Sequence, residues 1–237
     1  MPGLSISSAA PNMGTMPLLY HLWLSPFSRK VRIVLSEKGI DVSLKVEKVW
    51  ERREDFLALN PTGEVPVMVE DDGTVLAEST AIVEYLDEMH PDPPLIGRSP
   101  ETRAETRRLV AWFDMKFQCE VTANLVNEKI MKRFLGLGEP DSAAIRAGNK
   151  NIHSHLDYIG YLTEHRRWIA GDELSLADIS AAAHLSCVDY LGDVPWDDHG
   201  AAREWYARIK SRPSCRSLLG DHIPGAPPPR HYADLDF

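Results

Sequence analysis

Hydrophobic and polar positions change rhythm part-way along the chain. Between residues 18 and 90 short apolar runs alternate with helical stretches; between 101 and 219 the pattern is helical almost throughout. The near-continuous apolar run from Leu18 to Leu24 suits a strand covered on both faces of a sheet. Ser25-Pro26 breaks it, Val31, Val34 and Leu35 then fall at helical spacing, and Gly39 closes that helix. From Val42 to Val46, valine and leucine alternate with serine and lysine, the period of a half-buried strand. A charged stretch, Glu51 to Asp55, runs on to Asn60-Pro61. Val65 to Val69 then reads as a strand, Asp72-Gly73 as a hairpin turn and Val75 to Ala77 as the return strand. Ser79 is expected to cap a helix whose inner face is Ile82, Val83 and Leu86. The order β-α-β-(α)-β-β-α makes the first connection a right-handed crossover between parallel strands, and the hairpin adds an antiparallel pair to a small mixed sheet.

Residues 91–100 hold four prolines and form a stiff linker that cannot continue a helix. Beyond it, Val110, Phe113, Phe117 and Val121 make one stripe of a long helix, and a second helix runs from about Ser142 to Thr163 with Ile152, Leu156 and Ile159 inward. Ser175 and Asp178 have the spacing of a capping box and open an Ala-rich helix around Ala181 to Ala183. A further helix, Ala201 to Lys210, is halted by Pro213. The expected organisation is a disordered leader (1–15), an α/β domain (16–90), the linker (91–100), an all-helical domain (101–219) and a Pro-rich C-terminal tail (220–237). The tail carries Tyr232, Leu235 and Phe237 between acidic residues, so it either docks back on the body or binds something else.

With 26 basic against 35 acidic residues the net charge is −9, which argues against a nucleic-acid binder needing a basic face. No apolar run reaches the length of a membrane span, so membrane insertion is not expected. Cys119, Cys187 and Cys215 are odd in number and far apart, which fits a reducing cytoplasm and three buried small apolar groups. The nine histidines form no HxxxH or HExxH pair, so no metal site is expected.

Chemistry concentrates in three places. Ser25-Pro26-Phe27-Ser28 has the spacing of a C-P-x-C redox motif with oxygen for sulfur, which excludes dithiol chemistry. Ser25, beside a helix N-terminus, can cap that helix or donate a hydrogen bond to a bound thiolate. In Val65-Pro66 a cis bond at a strand start leaves the Val65 backbone open to an extended peptide. Glu78-Ser79 can hold an ammonium and a carboxylate side by side, the two ends of an α-amino acid.

From Met16 to about Leu219 the chain resembles the cytosolic glutathione transferases. The resemblance implies a thioredoxin-like N-terminal domain with an all-helical C-terminal domain. It implies Ser25 as the thiol-activating position and Val65, Pro66, Glu78 and Ser79 as glutathione-site positions; the Ser175–Asp178 box matches a folding motif of the family. No resident cofactor is implied, glutathione being a substrate or ligand. Pairing into a homodimer is implied as well. More narrowly, Asn124 to Gly136, the flap Trp50 to Arg53 and the ending His231 to Phe237 resemble the glutathione-transferase-like bacterial cell-division proteins that bind FtsZ polymers.

Two readings follow. The first is an FtsZ-binding adaptor, probing filaments with Trp50, Tyr232, Asp234 and Phe237, aromatic anchors being the groups that dominate interfaces; Trp50 can equally pack beneath its own flap. Lys129, Lys132 and Arg133 are expected on a solvated helix face. The second is a serine-type glutathione transferase acting on an electrophile the sequence does not define. Glu64 beside Val65 opposes a tripeptide with two carboxylates, and Lys30 and Arg53 are the cations expected to offset it.

Overall fold

The computed structural model describes residues 16–235; the expected leader and Phe237 lie outside them. The first half is built from β1 (Leu18–His21), α1 (Pro26–Glu37), β2 (Ser43–Val46), α2 (Glu54–Leu59), β3 (Val67–Val69), β4 (Val75–Ala77) and α3 (Ser79–Met89). The sheet order is β2-β1-β3-β4, with β1 and β2 parallel and the other pairs antiparallel. The crossover and the hairpin are thus both present. Strand β3 begins at Val67 rather than Val65, since Pro66 has no N–H for the ladder. Strand β2 lies at the edge, where its alternating pattern covers little: Leu44 is 45% exposed.

The second half starts with α4 (Pro100–Ala111), capped by Ser99 in a capping box with Thr102. It continues into a segment wound in π fashion (Trp112–Met131), whose last N–H bond runs from Lys132 to the Asn127 carbonyl, and ends in α5 (Lys132–Leu135). The fully buried residues Phe113, Phe117, Val121 and Leu125 recur at steps of four. There follow α6 (Ser142–Thr163), α7 (Leu176–Asp189), α8 (Gly200–Lys210) and α9 (Arg216–Leu219).

Helix α7 is buried along its whole length, packed by α1, α4, α8 and the π-wound segment. Its alanines let these neighbours approach. Its start is fixed by the expected capping box: Asp178 accepts from the Ser175 backbone N–H at 3.1 Å, and Ser175 Oγ caps the first turn. The Asp178 carboxylate also accepts from Trp205 Nε1 and the Ile169 N–H, each at 2.9 Å, so one buried side chain joins α7 to α8 and to the loop before it.

Candidate functional site

The loop from β1 to α1 places Ser25 at the N-cap of α1, where Oγ accepts from the Ser28 N–H at 3.2 Å. Capping uses an acceptor lone pair, so the Ser25 O–H can still donate; the two sequence expectations are compatible. Ser28 Oγ in turn accepts from the Leu22 N–H at 3.3 Å and ties the loop to the end of β1.

In front of Ser25 lies a cavity of about 220 Å³ shared by both halves of the molecule. Leu24 and Ser25 come from the loop, Phe27 from the first turn of α1, Val49 from the flap, Glu64 and Val65 from the approach to β3, and Gln118, Thr122, Val126 and Met131 from the π-wound segment. The Val65-Pro66 bond is cis. Among the described residues the Val65 backbone N–H and C=O have no partner. Ser25 and Val65 therefore share one cavity, while Pro66 is buried behind it and Glu78 and Ser79 are not among its walls.

The cap of α3 corrects the sequence expectation. Glu78, with φ 72°, is the N-cap: its carboxylate accepts from Ser79 Oγ at 2.9 Å, the Thr80 N–H at 3.0 Å and the Ala81 N–H at 3.4 Å. A carboxylate bonds charged-strength to free N–H groups and matches the helix dipole, so it outcompetes the Ser79 hydroxyl. A ligand carboxylate aimed at this helix end has to displace it. The cations expected to offset Glu64 are also engaged elsewhere. Lys30 is paired with Asp114, and Arg53 reaches Glu47 at 2.7 Å and Asp55 at 2.9 Å.

Behind the cavity sits a buried polar cluster. Asp114 holds Lys30, accepts from Ser180 Oγ at 2.5 Å and lies 3.4 Å from His184 Nε2; His184 Nδ1 is 3.0 Å from the Thr122 hydroxyl on the cavity wall. Burial would raise the Asp114 carboxyl, but hydrogen bonding from His184 and the charge of Lys30 outweigh it and hold it well below the usual carboxylate range. Burial pushes His184 down, only partly opposed by Asp114. Asp114 is thus the ionised member, counterbalanced by Lys30.

Three segments singled out in the sequence meet on one side. Trp50 is half-buried and lies flat on Phe134, ring centroids 5.3 Å apart at 11°. Arg133 covers that ring from 5.0 Å and donates to the Pro224 and Gly225 carbonyls at 2.6 and 3.3 Å, where the tail begins. Flap, helix end and tail root form one layered cluster. Lys129 pairs with Asp193 and Lys132 with Glu128, both at 2.6 Å, so these cations are engaged rather than standing on a freely solvated face.

Tyr232 does not match the role expected of it. It is 0% exposed, its hydroxyl donates to the Leu218 carbonyl at 3.2 Å, and its ring meets Tyr190 edge-on at 5.1 Å. A ring so enclosed cannot reach a partner while the tail is docked. Asp234 is exposed and close enough to Lys210 to favour its charge. Of the cysteines, Cys187 and Cys215 are buried as expected, with burial raising their thiols to about 11 and about 12; Cys119 is exposed.

Sequence reasoning missed the groups that dock the tail. Asp221 takes both Arg29 (3.4 Å) and Arg32 (2.8 Å) of α1, and Arg29, 0% exposed, also donates to the Trp23 carbonyl at 2.5 Å and Ser186 Oγ at 2.9 Å. The signal available was faint: three basic residues, Arg29, Lys30 and Arg32, interleaved with the apolar positions Val31, Ile33, Val34 and Leu35 of α1.

Models of the glutathione S-transferase family match the chain twice, the N-terminal domain over residues 19–94 and the C-terminal domain over residues 142–208. The chain belongs to the glutathione S-transferase family. Its sheet-containing half is the thioredoxin-like domain of that fold and its second half the helical domain. Within this family the chain is 48% identical to FtsZ-localized protein A of Caulobacter vibrioides over 222 residues, 92% of this chain and 97% of that protein. The crystal structure of a glutathione S-transferase from Rhodospirillum rubrum F11 superposes with a TM-score of 0.92 at 58% identity, covering 94% of this chain and 100% of that one. The structure of FzlA from C. crescentus gives a TM-score of 0.91 at 47% identity, with the same coverage.

Proposed function

We propose that this glutathione S-transferase family member is an adaptor that binds FtsZ polymers in bacterial cell division, without catalysis, as a cytoplasmic homodimer. The observation that carries the reading is the layered cluster of Trp50, Phe134 and Arg133, which brings two of the three segments that resemble FtsZ-binding proteins together beside the root of the tail that carries the third. The likeness to FtsZ-localized protein A supports it. Asp234 is exposed beside this tail, and Phe237 extends it by three residues. A homodimer offers two such surfaces and so links filaments through avidity.

Co-sedimentation with FtsZ filaments tests the reading. Wild type is expected to pellet with filaments, and Asp234→Lys, which reverses a charge and removes no apolar area, to stay in the supernatant while melting like wild type. Filament binding by folded Asp234→Lys equal to wild type sinks the role given to Asp234. A monomer mass by light scattering at micromolar concentration removes the two-surface argument.

The second reading is a serine-type glutathione transferase. The free Ser25 O–H and the unpartnered Val65 backbone in one cavity favour it. Glu78 seated on the helix end and the commitment of Lys30 and Arg53 weigh against tight binding of a dicarboxylate. Ser25→Ala separates the readings. It leaves FtsZ binding intact in an adaptor, whereas in an enzyme it lowers glutathione conjugation to 1-chloro-2,4-dinitrobenzene sharply.

A further inference from the structure

Two histidines that the sequence keeps 46 residues apart meet on the helical half. Helix α8 differs at its start from the other described α-helices of eight or more residues. Ser25, Glu78, Ser99, Asp141 and Ser175 each cap their own helix through the side chain, whereas His199, at the N-cap of α8, makes no cap bond. Its ring turns to α6 instead. The two helices come close there, because Gly160 of α6 faces Ala201 of α8: a Cβ on the glycine would stand 3.6 Å from Ala201 Cβ. His153 and Asp157, one turn apart, share a face of α6, and the His199 ring lies between them. Its Nδ1 is 3.1 Å from Asp157 Oδ1, and its Nε2 is 2.8 Å from His153 Nδ1.

An ionised carboxylate only accepts, so Asp157 places the proton of a neutral His199 on Nδ1 and leaves Nε2 as a lone pair. A carboxylate behind the far nitrogen is what fixes the tautomer of a metal-ligating histidine and makes it a better ligand. His153 Nδ1 meets that lone pair with its own N–H. Moving this proton to Nε2 of His153 leaves its charge unchanged and turns two lone pairs towards one point. A tetrahedral zinc ion with Zn–N distances of about 2.0–2.1 Å holds two nitrogens about 3.3 Å apart. The gap therefore has to widen by about half an ångström, which a small rotation of the half-buried His153 side chain supplies. We propose that His153 Nδ1 and His199 Nε2 form a zinc site that bridges α6 and α8, with Asp157 orienting His199 from behind. Among the described residues no group of three or more ligating side chains is assembled around a metal position, so water completes the shell and the ion exchanges readily. Neither histidine lines the cavity before Ser25; the proposal stands apart from both FtsZ binding and glutathione chemistry.

Calorimetry tests it, with zinc chloride titrated into the full chain after removal of metals by a chelator. Wild type is expected to bind one zinc ion per chain saturably and to show no saturation with magnesium chloride, since magnesium prefers oxygen ligands. Asp157→Asn, which leaves both nitrogens in place, is expected to weaken zinc about tenfold, the lower end of what such outer partners contribute. His153→Gln keeps a hydrogen-bonding group beside His199 but removes an imidazole, and is expected to weaken zinc further still. Saturating zinc raises the melting temperature of wild type by several degrees and moves that of His153→Gln by no more than about one degree. Should His153→Gln fail to fold, Asp157→Asn, a change on an exposed side chain, carries the test. The proposal is overturned if zinc does not saturate, if magnesium binds as well as zinc, or if His153→Gln or Asp157→Asn binds zinc like wild type. Zinc binding that disappears instead in Cys119→Ser or His165→Gln, both exposed positions, is adventitious and equally overturns it.

Discussion

The imidazole of His21, 4% exposed at the end of β1, has Arg29, Arg32 and Asp221 as its charged neighbours, and its Nδ1 has no hydrogen-bond partner. Burial and the charge of Arg32 lower its pKa to about 4, with Asp221 only partly opposing. The unfolded chain takes up this proton near pH 6.5 and the native state does not. Stability therefore falls as pH drops from about 6.5 towards 4 and levels off below that, by about 3 kcal/mol at most for this one group. Melting temperatures measured from pH 7 to 4.5 are expected to decline in wild type and to decline less steeply in His21→Gln. Part of the slope remains, because burial lowers His155 and His184 in the same direction. An unchanged slope in the variant would show that His21 is protonated in the native state. None of this was readable from His21 in the sequence, where it is one of nine histidines in an apolar run.

Elements differ in how far the sequence announces them. The Ser175–Asp178 box was legible because donor and acceptor lie three residues apart. The parallel crossover was legible because a helix separates two strand-like runs. The exposure of β2 was not, since alternation reports a period and not whether the sheet has another strand to cover it. Nor was the fit of α6 to the π-wound segment. A Cβ on Gly148 would stand 2.8 Å from Leu125 Cγ and 3.0 Å from Asn124 Cβ. Gly148→Ala is therefore expected to destabilise by about 1–3 kcal/mol despite alanine's better helix propensity, seen as a melting temperature several degrees lower. The tail is the other element whose state had to be seen. Truncation after Pro229 removes the enclosed Tyr232 ring and the His231 carbonyl that accepts from Lys210 Nζ at 3.1 Å. Losing a buried aromatic of this size costs roughly 3–5 kcal/mol, so the truncated chain is expected to melt well below wild type. Equal melting would mean that the tail is undocked in solution.

At the scale of the whole molecule, the two halves are joined by charge as well as by the shared cavity. Asp221 neutralises Arg29 and Arg32 in a place nearly closed to water, and Arg212 and Ser214 hold Glu37 at 2.6 and 2.5 Å nearby. Removing one partner of a buried pair strands the other charge, at roughly 3–5 kcal/mol. Asp221→Asn is expected to lower the melting temperature by roughly 10 °C, and a loss under 2 °C by circular dichroism would show that water reaches these arginines. The partners are about two hundred residues apart, which is why no local pattern disclosed them. That separation has a consequence for biosynthesis. A ribosome delivers α1 well before Asp221, at separations of 192 and 189 residues from the two arginines, so those arginines lack this counter-ion until Asp221 has emerged. Domains commonly fold in order of emergence; here the thioredoxin-like half is expected to close fully only once the segment carrying Asp221 has been made. A chain cut a few residues short of Asp221 keeps nearly all of the fold's buried apolar residues yet strands two buried arginines, and is expected to be digested by protease faster than the chain that reaches Asp221.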